Sequence, residues 1–423
     1  MAEEGGEARP GFRNAVRVLR RRNYRVYTLG NSVSLIGTWM QRVSVGWLAW
    51  TLTQSTIWLS VVAAAELLPT LALSPIAGVL ADRVDRVRLI RFTQIVAMVQ
   101  AVALALLVYT DSVTIELLVA LTFALGAANA VNQPARLALV ASLADRATLG
   151  SAVAINSLVF NSARFIGPAV AGLILREGGV ALAFALNAVT YLPFILALTR
   201  LDVPAERFEG ARRELIGDTV AGYAYALRHP GIGRMILLFA VTSLGIRGYI
   251  EMFPGFADLV FHGGSDVYSW LLTTLGLGAT AGGLWMVRRP SIQGLTALII
   301  GHSFVVAIAV LGFVATANYW VALACVFICG FALITTGISA QTLIQSAVDP
   351  AMRGRVLGLY GMLFRGGPAF NALLLGWLAT EIGLRLSVAL GALVCLAYWG
   401  WARLTQEAME RALEAEARGA AAE

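Results

Sequence analysis

The stretch "GVLADRVDRVRLI" (residues 78–90) places two aspartates and three arginines between long apolar segments. A helix of about 20 apolar residues crosses the hydrocarbon core of a bilayer, and runs of that length lie on both sides of the stretch. A short charged segment between two such runs is typical of a loop that joins two membrane-spanning helices. The pattern therefore predicts that the chain leaves the membrane here and turns back into it.

The rest of the chain repeats this pattern of apolar runs and polar connections. Of its 423 residues 58% are hydrophobic and only 13% are charged, whereas a soluble domain carries about 25% charged residues. Twelve apolar segments can be distinguished, near residues 24–50, 57–80, 89–110, 115–140, 150–176, 180–201, 231–258, 267–287, 292–316, 318–345, 354–380 and 384–404. The sequence predicts an all-α, polytopic membrane protein with twelve transmembrane helices.

The distribution of basic residues predicts the orientation of these helices. All 32 basic residues are arginines. If the N-terminus is cytoplasmic, Arg176 and Arg385 fall in external loops, whereas most of the others fall in the tails and the cytoplasmic loops. This is the positive-inside pattern, and it places both termini in the cytoplasm. The net charge of +7 is then a signal of topology, and we expect no nucleic-acid partner.

The longest polar interruption, from Leu201 to about Pro230, divides the chain into two halves. The predicted segments are a basic cytoplasmic N-terminus (1–23), a six-helix bundle (24–201), a cytoplasmic linker (202–230), a second six-helix bundle (231–404) and a cytoplasmic tail (405–423). The tail is interpreted as a frayed helix with a solvated, charged face.

The two halves are similar in sequence at a shift of 204 residues. This shift aligns "SLADRATLG" (142–150) with "SAVDPAMRG" (346–354), and it also aligns Gly78 with Gly282 and Leu80 with Leu284. A parallel repeat of six helices is typical of transporters whose binding site lies between the two repeats.

Three segments resemble the major facilitator superfamily. The family's loop between spans two and three reads G-x-L-A-D-R-x-G-R-R, and the chain matches it at Gly78, Leu80, Ala81, Asp82, Arg83 and Arg86, with Asp85 and Val87 as departures. The segments "QPARLALVASL" (133–143) and "NSLVFNSARFIGPAVAGLIL" (156–175) resemble its transmembrane secretion-effector branch, which includes the enterobactin exporter. The resemblance implies a fold of two six-helix halves and secondary transport by alternating access.

The resemblance also implies a conformational switch at Gly78, Asp82, Arg83 and Arg86. Gly78 has no Cβ, which allows a neighbouring helix to approach closely. In the family the aspartate of this loop engages the start of span eleven, here near Gly354, and favours the outward-open state. The alternative is that the arginines are only topology anchors. Drug antiporters of the family carry an arginine in span four where this chain has Thr122, so their proton relay is not transferred.

Ionisable residues inside the predicted spans are the candidate site residues, because each costs a few kcal/mol in a bilayer. Those expected to bind an anionic substrate are Arg42, Arg164, Arg247 and Arg365, with the polar side chains of Gln133 and Gln341. For Arg42 and Arg247 an ion pair with Glu66 or Glu251 is an equal alternative. Arg136, in span four, is interpreted as structural.

Glu66 and Glu251 are the candidates for proton coupling. Arg247 lies four residues before Glu251, one helical turn away, which favours the charged form of that carboxylate. Glu66 has no such partner on its own helix, so it is the better candidate for exchanging a proton.

The sequence contains no Walker A loop, metal-ligand cluster or nucleophile elbow, so we expect no enzyme activity, cofactor or metal site. The predicted function is proton-coupled export of an amphipathic, anionic small molecule, such as a siderophore or a drug, by a monomer in the bacterial cytoplasmic membrane. The alternatives are uptake of an anionic metabolite, transport of a lysolipid, or a non-transporting membrane receptor or assembly protein.

Overall fold

The described part of the chain consists of helices joined by short connections. The computed structural model describes residues 10–145, 147–202, 223–289, 291–349 and 352–419; side chains at 10–13, 74–83, 354, 365 and 415–419 lie outside this description. The helices are α1 (Pro10–Arg20), α2 (Arg22–Thr53), α3 (Thr56–Arg83), α4 (Arg86–Tyr109), α5 (Ile115–Ser142), α6 (Leu149–Thr199), α7 (Pro230–Gly245), α8 (Phe253–Leu259), α9 (Ser265–Val287), α10 (Leu295–Ala315), α11 (Tyr319–Ala347), α12 (Arg353–Ile382), α13 (Leu384–Leu404) and α14 (Gln406–Gly419). A 3₁₀ segment, Arg247–Met252, joins α7 to α8.

Helices α2 to α13 account for the twelve predicted crossings. Nine helical stretches of the described chain are long and apolar enough to span a membrane, and α7 with α8 forms one of them, Ile232–Leu259. Helix α6 has 51 residues, about 76 Å of helix, and contains two crossings separated at Gly179, whose φ is +72°. Helices α2 and α12, with 32 and 30 residues, are also long enough. The prediction of an all-helical, multi-pass membrane protein is confirmed.

The two halves are held together at one end of the bundle. We call the end that carries α1 and α14 the termini face, and the other end the opposite face. Helix α3 packs on α12 and α6 packs on α9. At the opposite face, Thr56 Oγ1 donates a hydrogen bond to the carbonyl oxygen of Gly376 at 3.0 Å, and Ser60 Oγ donates to that of Ala372 at 2.7 Å.

The charged loop at residues 78–90 is described only in part. Asp85 caps α4, because its Oδ1 accepts a hydrogen bond from the backbone N–H of Arg88 at 2.8 Å. This gives Asp85 a local role at the position where the family motif has glycine. Arg86 is half-buried in the first turn of α4. The side chains at 78, 82 and 83 lie outside the described residues, so the conformational switch stays a prediction.

The loop before α6 is tied to the N-terminal helices. Thr148 Oγ1 donates a hydrogen bond to Asp145, and Arg21 forms an ion pair with the same carboxylate. The hydrogen bond from Thr148 and the charge of Arg21 lower the pKa of Asp145. Helix α6 begins at Leu149 and α12 at Arg353, so these two helix starts keep the 204-residue shift seen in the sequence.

The interpretation of the tail as a frayed, solvated helix is wrong for the described part of α14. Met409 and Leu413 are buried, and Leu413 packs beside Gly231 at the start of α7. Glu414 is also buried: its Oε2 accepts from Gly294 N at 2.8 Å and its Oε1 from Thr296 N at 3.0 Å. Gly294 has no side chain with which to cap α10, so Glu414 supplies the cap from the tail.

We expect Glu414→Ala to destabilise the C-terminal half. The substitution removes two charge-assisted hydrogen bonds at a helix N-terminus, worth about 1.5–3 kcal/mol. Thermal unfolding of the detergent-purified protein should therefore shift to lower temperature. Glu407→Ala is the matched control, because Glu407 is exposed and contacts Arg411 on the same helix. Equal unfolding temperatures for the two variants would show that the cap contributes nothing.

Candidate functional site

Arg42 lies between two carboxylates at the interface of the halves. Its Nη2 is 2.7 Å from Glu251 Oε1, and its Nε is 3.6 Å from Glu66 Oε2. The three side chains are 19–30% exposed, so the cluster is neither fully buried nor fully solvated. Arg42 and Glu66 belong to α2 and α3, whereas Glu251 belongs to the 3₁₀ segment of the other half. The shorter ion pair therefore joins the two halves.

A break between α7 and α8 positions Glu251. Asn371, buried on α12, satisfies the backbone groups that the break leaves free. Its Nδ2 donates to the carbonyl oxygen of Leu244 at 2.6 Å, and its Oδ1 accepts from Gly248 N at 2.6 Å. Helix 3₁₀ has 3.0 residues per turn, so residues four apart do not share a face as they do in an α-helix. Arg247 and Glu251 are consequently not paired in the described structure, and the predicted one-turn neighbourhood is wrong.

Arg247 instead packs against aromatic rings. Its guanidinium carbon lies 4.2 Å from the ring centroid of Phe364 and 5.5 Å from that of Phe239. Its Nη1 is buried without a hydrogen-bond partner in the described chain. Cation–π contacts of a desolvated arginine are worth about 2 kcal/mol, and an unmade hydrogen bond of a buried polar group costs about 1–3 kcal/mol. Arg247 therefore retains an unused capacity to bind an anion.

Arg164 also has no carboxylate partner among the described residues. Its guanidinium carbon lies 5.8 Å from the ring centroid of Trp39, and that of Arg42 lies 5.5 Å from the same ring. A Cβ on Gly276 of α9 would lie 3.1 Å from the carbonyl oxygen of Arg164, so this part of α6 touches the other half. Arg42 is also paired with Glu251, which lies in the same 3₁₀ segment as Arg247. The fold thus brings three of the four predicted arginines together, and the side chain of Arg365 lies outside the description.

The surface of α6 becomes more exposed towards the termini face. Near the opposite face, Gly172 of α6 packs against Ser269, and Phe165, two turns further, packs against Gly276. Leu158, seven residues before Phe165, shares its helix face but is 55% exposed. On this face of α6 the packing against the other half is therefore seen as far as Phe165, and the side chain of Leu158, nearer the termini face, is exposed.

A comparison with known families identifies the protein class. Residues 14–418 match the profile of a family described as transmembrane secretion effector. The chain belongs to this family. It is therefore a transporter of the major facilitator superfamily and not an enzyme, as the loop at residues 78–90 and the segments at 133–143 and 156–175 predicted.

The chain has low sequence identity to individual named proteins. The chain is 26% identical to the staphyloferrin A transporter of Staphylococcus aureus over 82% of its own length and 87% of the relative's. It is 26% identical to the enterobactin exporter of Escherichia coli over 72% of each chain.

Solved structures confirm the fold of this secretion-effector chain. A transporter of the POT family in complex with a thioalcohol-conjugated peptide superposes with a TM-score of 0.72 at 12% identity, over 93% of this chain and 99% of that one. A bacterial homologue of the human lysosomal transporter Spinster, inward-facing and occupied, gives 0.64 at 15% identity, over 93% and 94%. The major facilitator fold is thus present across almost the whole chain.

The two predicted glutamines lie on different helices, one in each half of the protein. Gln133 is half-buried on α5, beside Pro134. Gln341 is exposed on α11, six residues or about 9 Å from the helix end at Ala347. Arg164 lies about 22 Å from the corresponding end of α6 at Leu149, so Gln341 is much nearer to the termini face than the arginines are.

Sequence reasoning missed the aromatic residues of the site. Trp39 lies three residues before Arg42, which is a helical spacing that could have indicated a shared face. No local signal pairs Phe239 or Phe364 with Arg247, because Phe364 lies on α12 and Phe239 eight residues before Arg247 on a helix that then changes winding.

Proposed function

We propose that the protein exports an amphipathic, anionic small molecule, such as a siderophore or a drug, in exchange for protons across the bacterial cytoplasmic membrane. The observation that carries this proposal is a pair of arginines, Arg164 and Arg247, that lack carboxylate partners in the described chain and lie at the interface of the two halves. In a low-dielectric interior, unpaired cations favour an anionic ligand. The aromatic rings beside them suit an apolar part of the same ligand.

The packing at the opposite face supports the direction of transport. With the termini in the cytoplasm, as the arginine distribution predicts, the hydrogen bonds from Thr56 and Ser60 of α3 to α12 close the external side of the interface. In this proposal an anion enters from the cytoplasm, where Leu158 of α6 is exposed, and reaches Arg164. The relatives named for transport of staphyloferrin A and export of enterobactin support the same substrate class.

Glu66 is the proposed coupling carboxylate. Glu251 holds Arg42 at 2.7 Å, whereas Glu66 holds it at 3.6 Å, so Glu66 is the weaker partner. A proton on Glu66 leaves Arg42 paired with Glu251, and proton release restores the second pair. Glu66 can therefore exchange a proton without leaving an unpaired charge in the cluster.

Arg164→Ala is the test of the anion site. Loss of one charge-assisted hydrogen bond should weaken binding of naphthalene-2-carboxylate roughly 10- to 100-fold, whereas the neutral naphthalene-2-carboxamide should bind as before. Binding is measured by calorimetry in detergent, and counterflow of the labelled carboxylate is measured in proteoliposomes.

Arg136→Ala is the matched control, because Arg136 is an intramembrane arginine whose guanidinium carbon lies 5.4 Å from the ring of Phe194 within the N-terminal half. If Arg164→Ala weakened the acid and the amide equally, Arg164 would have a structural role. Unchanged binding of both probes would contradict the proposed site.

A further inference from the structure

The two arginines of the proposed anion site belong to different halves of the protein. Arg164 lies on α6, beside Trp39 of the N-terminal half, and Arg247 lies in the 3₁₀ segment, beside the stacked rings of Phe239 and Phe364 of the C-terminal half. Glu66 and Glu251, the carboxylates of this cluster, both form ion pairs with Arg42. Each half therefore contributes to this site a cation that lacks a carboxylate partner in the described chain.

Both cations lie at the interface. The backbone of Arg164 is in contact with Gly276 of α9, and the segment that carries Arg247 packs against α3 and α12. Two like charges on facing elements repel each other, and this repulsion opposes approach of the halves. One anionic group can pair with one guanidinium, which leaves the other arginine unpaired.

An aromatic ring lies beside each of the two arginines. Trp39 covers Arg164 on one side of the interface, and Phe364 covers Arg247 on the other. A ligand that pairs with both arginines therefore meets an aromatic surface beside each cation. A flat, apolar body with an anionic group at each end matches this arrangement of charge and apolar surface.

We infer that the site selects dianions, with one anionic group on Arg164, the other on Arg247 and an apolar body between them. The inference rests on the proposed function and makes it more specific. A bound dianion neutralises one cation in each half and links the halves, so it also favours their closer approach. A monoanion of the same size pairs with one half only.

The experiment compares dicarboxylates with their methyl esters, which carry fewer charges on the same aromatic body. The probes are terephthalate, naphthalene-2,6-dicarboxylate and biphenyl-4,4′-dicarboxylate, each with its monomethyl and dimethyl ester, and binding to the full-length protein is measured by calorimetry. We expect at least one dianion to bind about tenfold or more tightly than its monoester. Arg164→Gln and Arg247→Gln should each reduce dianion binding to the level of the monoester, whereas Arg136→Gln should not.

Three outcomes separate this inference from the proposed function. Equal binding of dianion and monoester at all three lengths, with both weakened by Arg164→Gln, overturns dianion selection and leaves the anion site in place. Absence of binding by every dianion also overturns it. A preference for dianions that survives both arginine variants overturns the assignment to Arg164 and Arg247. The comparison on the unmodified protein does not depend on whether a variant folds.

Discussion

Glu66→Gln is expected to abolish the accumulation of substrate that a pH gradient drives, while substrate exchange continues. The glutamine side chain has nearly the shape of the glutamate side chain but cannot take up or release a proton. Arg42 keeps its 2.7 Å pair with Glu251, so the halves retain their link. Counterflow needs no net movement of protons, and it should persist. The measurement is uptake of labelled naphthalene-2-carboxylate into proteoliposomes, with and without an imposed pH gradient.

The control for this experiment is Glu116→Gln. Glu116 lies in the first turn of α5 and is exposed, so its neutralisation should leave both activities unchanged. If Glu66→Gln still concentrated the acid under a pH gradient, Glu66 would be only a member of the ion-pair cluster. Loss of counterflow as well would mean that the substitution disturbs the substrate site and not the coupling alone.

Arg42→Gln is expected to cause the second large effect, a loss of both stability and transport. It leaves the carboxylates of Glu66 and Glu251 without their common cation. Removing one partner of a fully buried ion pair costs about 3–5 kcal/mol; these side chains are 19–30% exposed, so we expect about 2–3 kcal/mol. The variant also loses the pair that joins the halves. Thermal unfolding in detergent and counterflow in proteoliposomes measure the two effects.

The variant Arg42→Gln/Glu66→Gln/Glu251→Gln separates charge from packing. It removes all three charges, and its amides can still donate and accept hydrogen bonds, so most of the lost stability should return. Transport driven by a pH gradient should not return, because the coupling carboxylate is absent. An Arg42→Gln protein as stable as the unmodified one would show that the ion pairs contribute little.

Properties that depend on short segments could be predicted from the sequence. A run of apolar residues is long enough to span a bilayer whatever surrounds it, so the twelve crossings were predictable, including the two that lie within α6 on either side of Gly179. The cost of a charge in lipid is likewise a property of the single residue and its depth. The sequence therefore identified Arg42, Arg164 and Arg247 as unusual before any contact was known.

The partners of these arginines were decided only by the tertiary structure. Arg42 and Glu251 are 209 residues apart, and no local pattern joins them. An ion pair of Arg247 with Glu251 was one alternative that α-helical spacing allowed, but the chain between α7 and α8 winds as a 3₁₀ segment whose free backbone groups bond to Asn371.

Contacts between distant segments also decide the environment of the tail and of the surface of α6. Local composition describes α14 as a charged helix, but whether Glu414 faces water or caps α10 depends on a helix start 120 residues earlier in the chain. Likewise, Leu158 and Phe165 share one face of α6, and only the distance to α9 makes one exposed and the other packed. The sequence determined which residues carry charge and which segments cross the membrane. The packing of distant helices determined which charges are neutralised and which are left to bind a ligand.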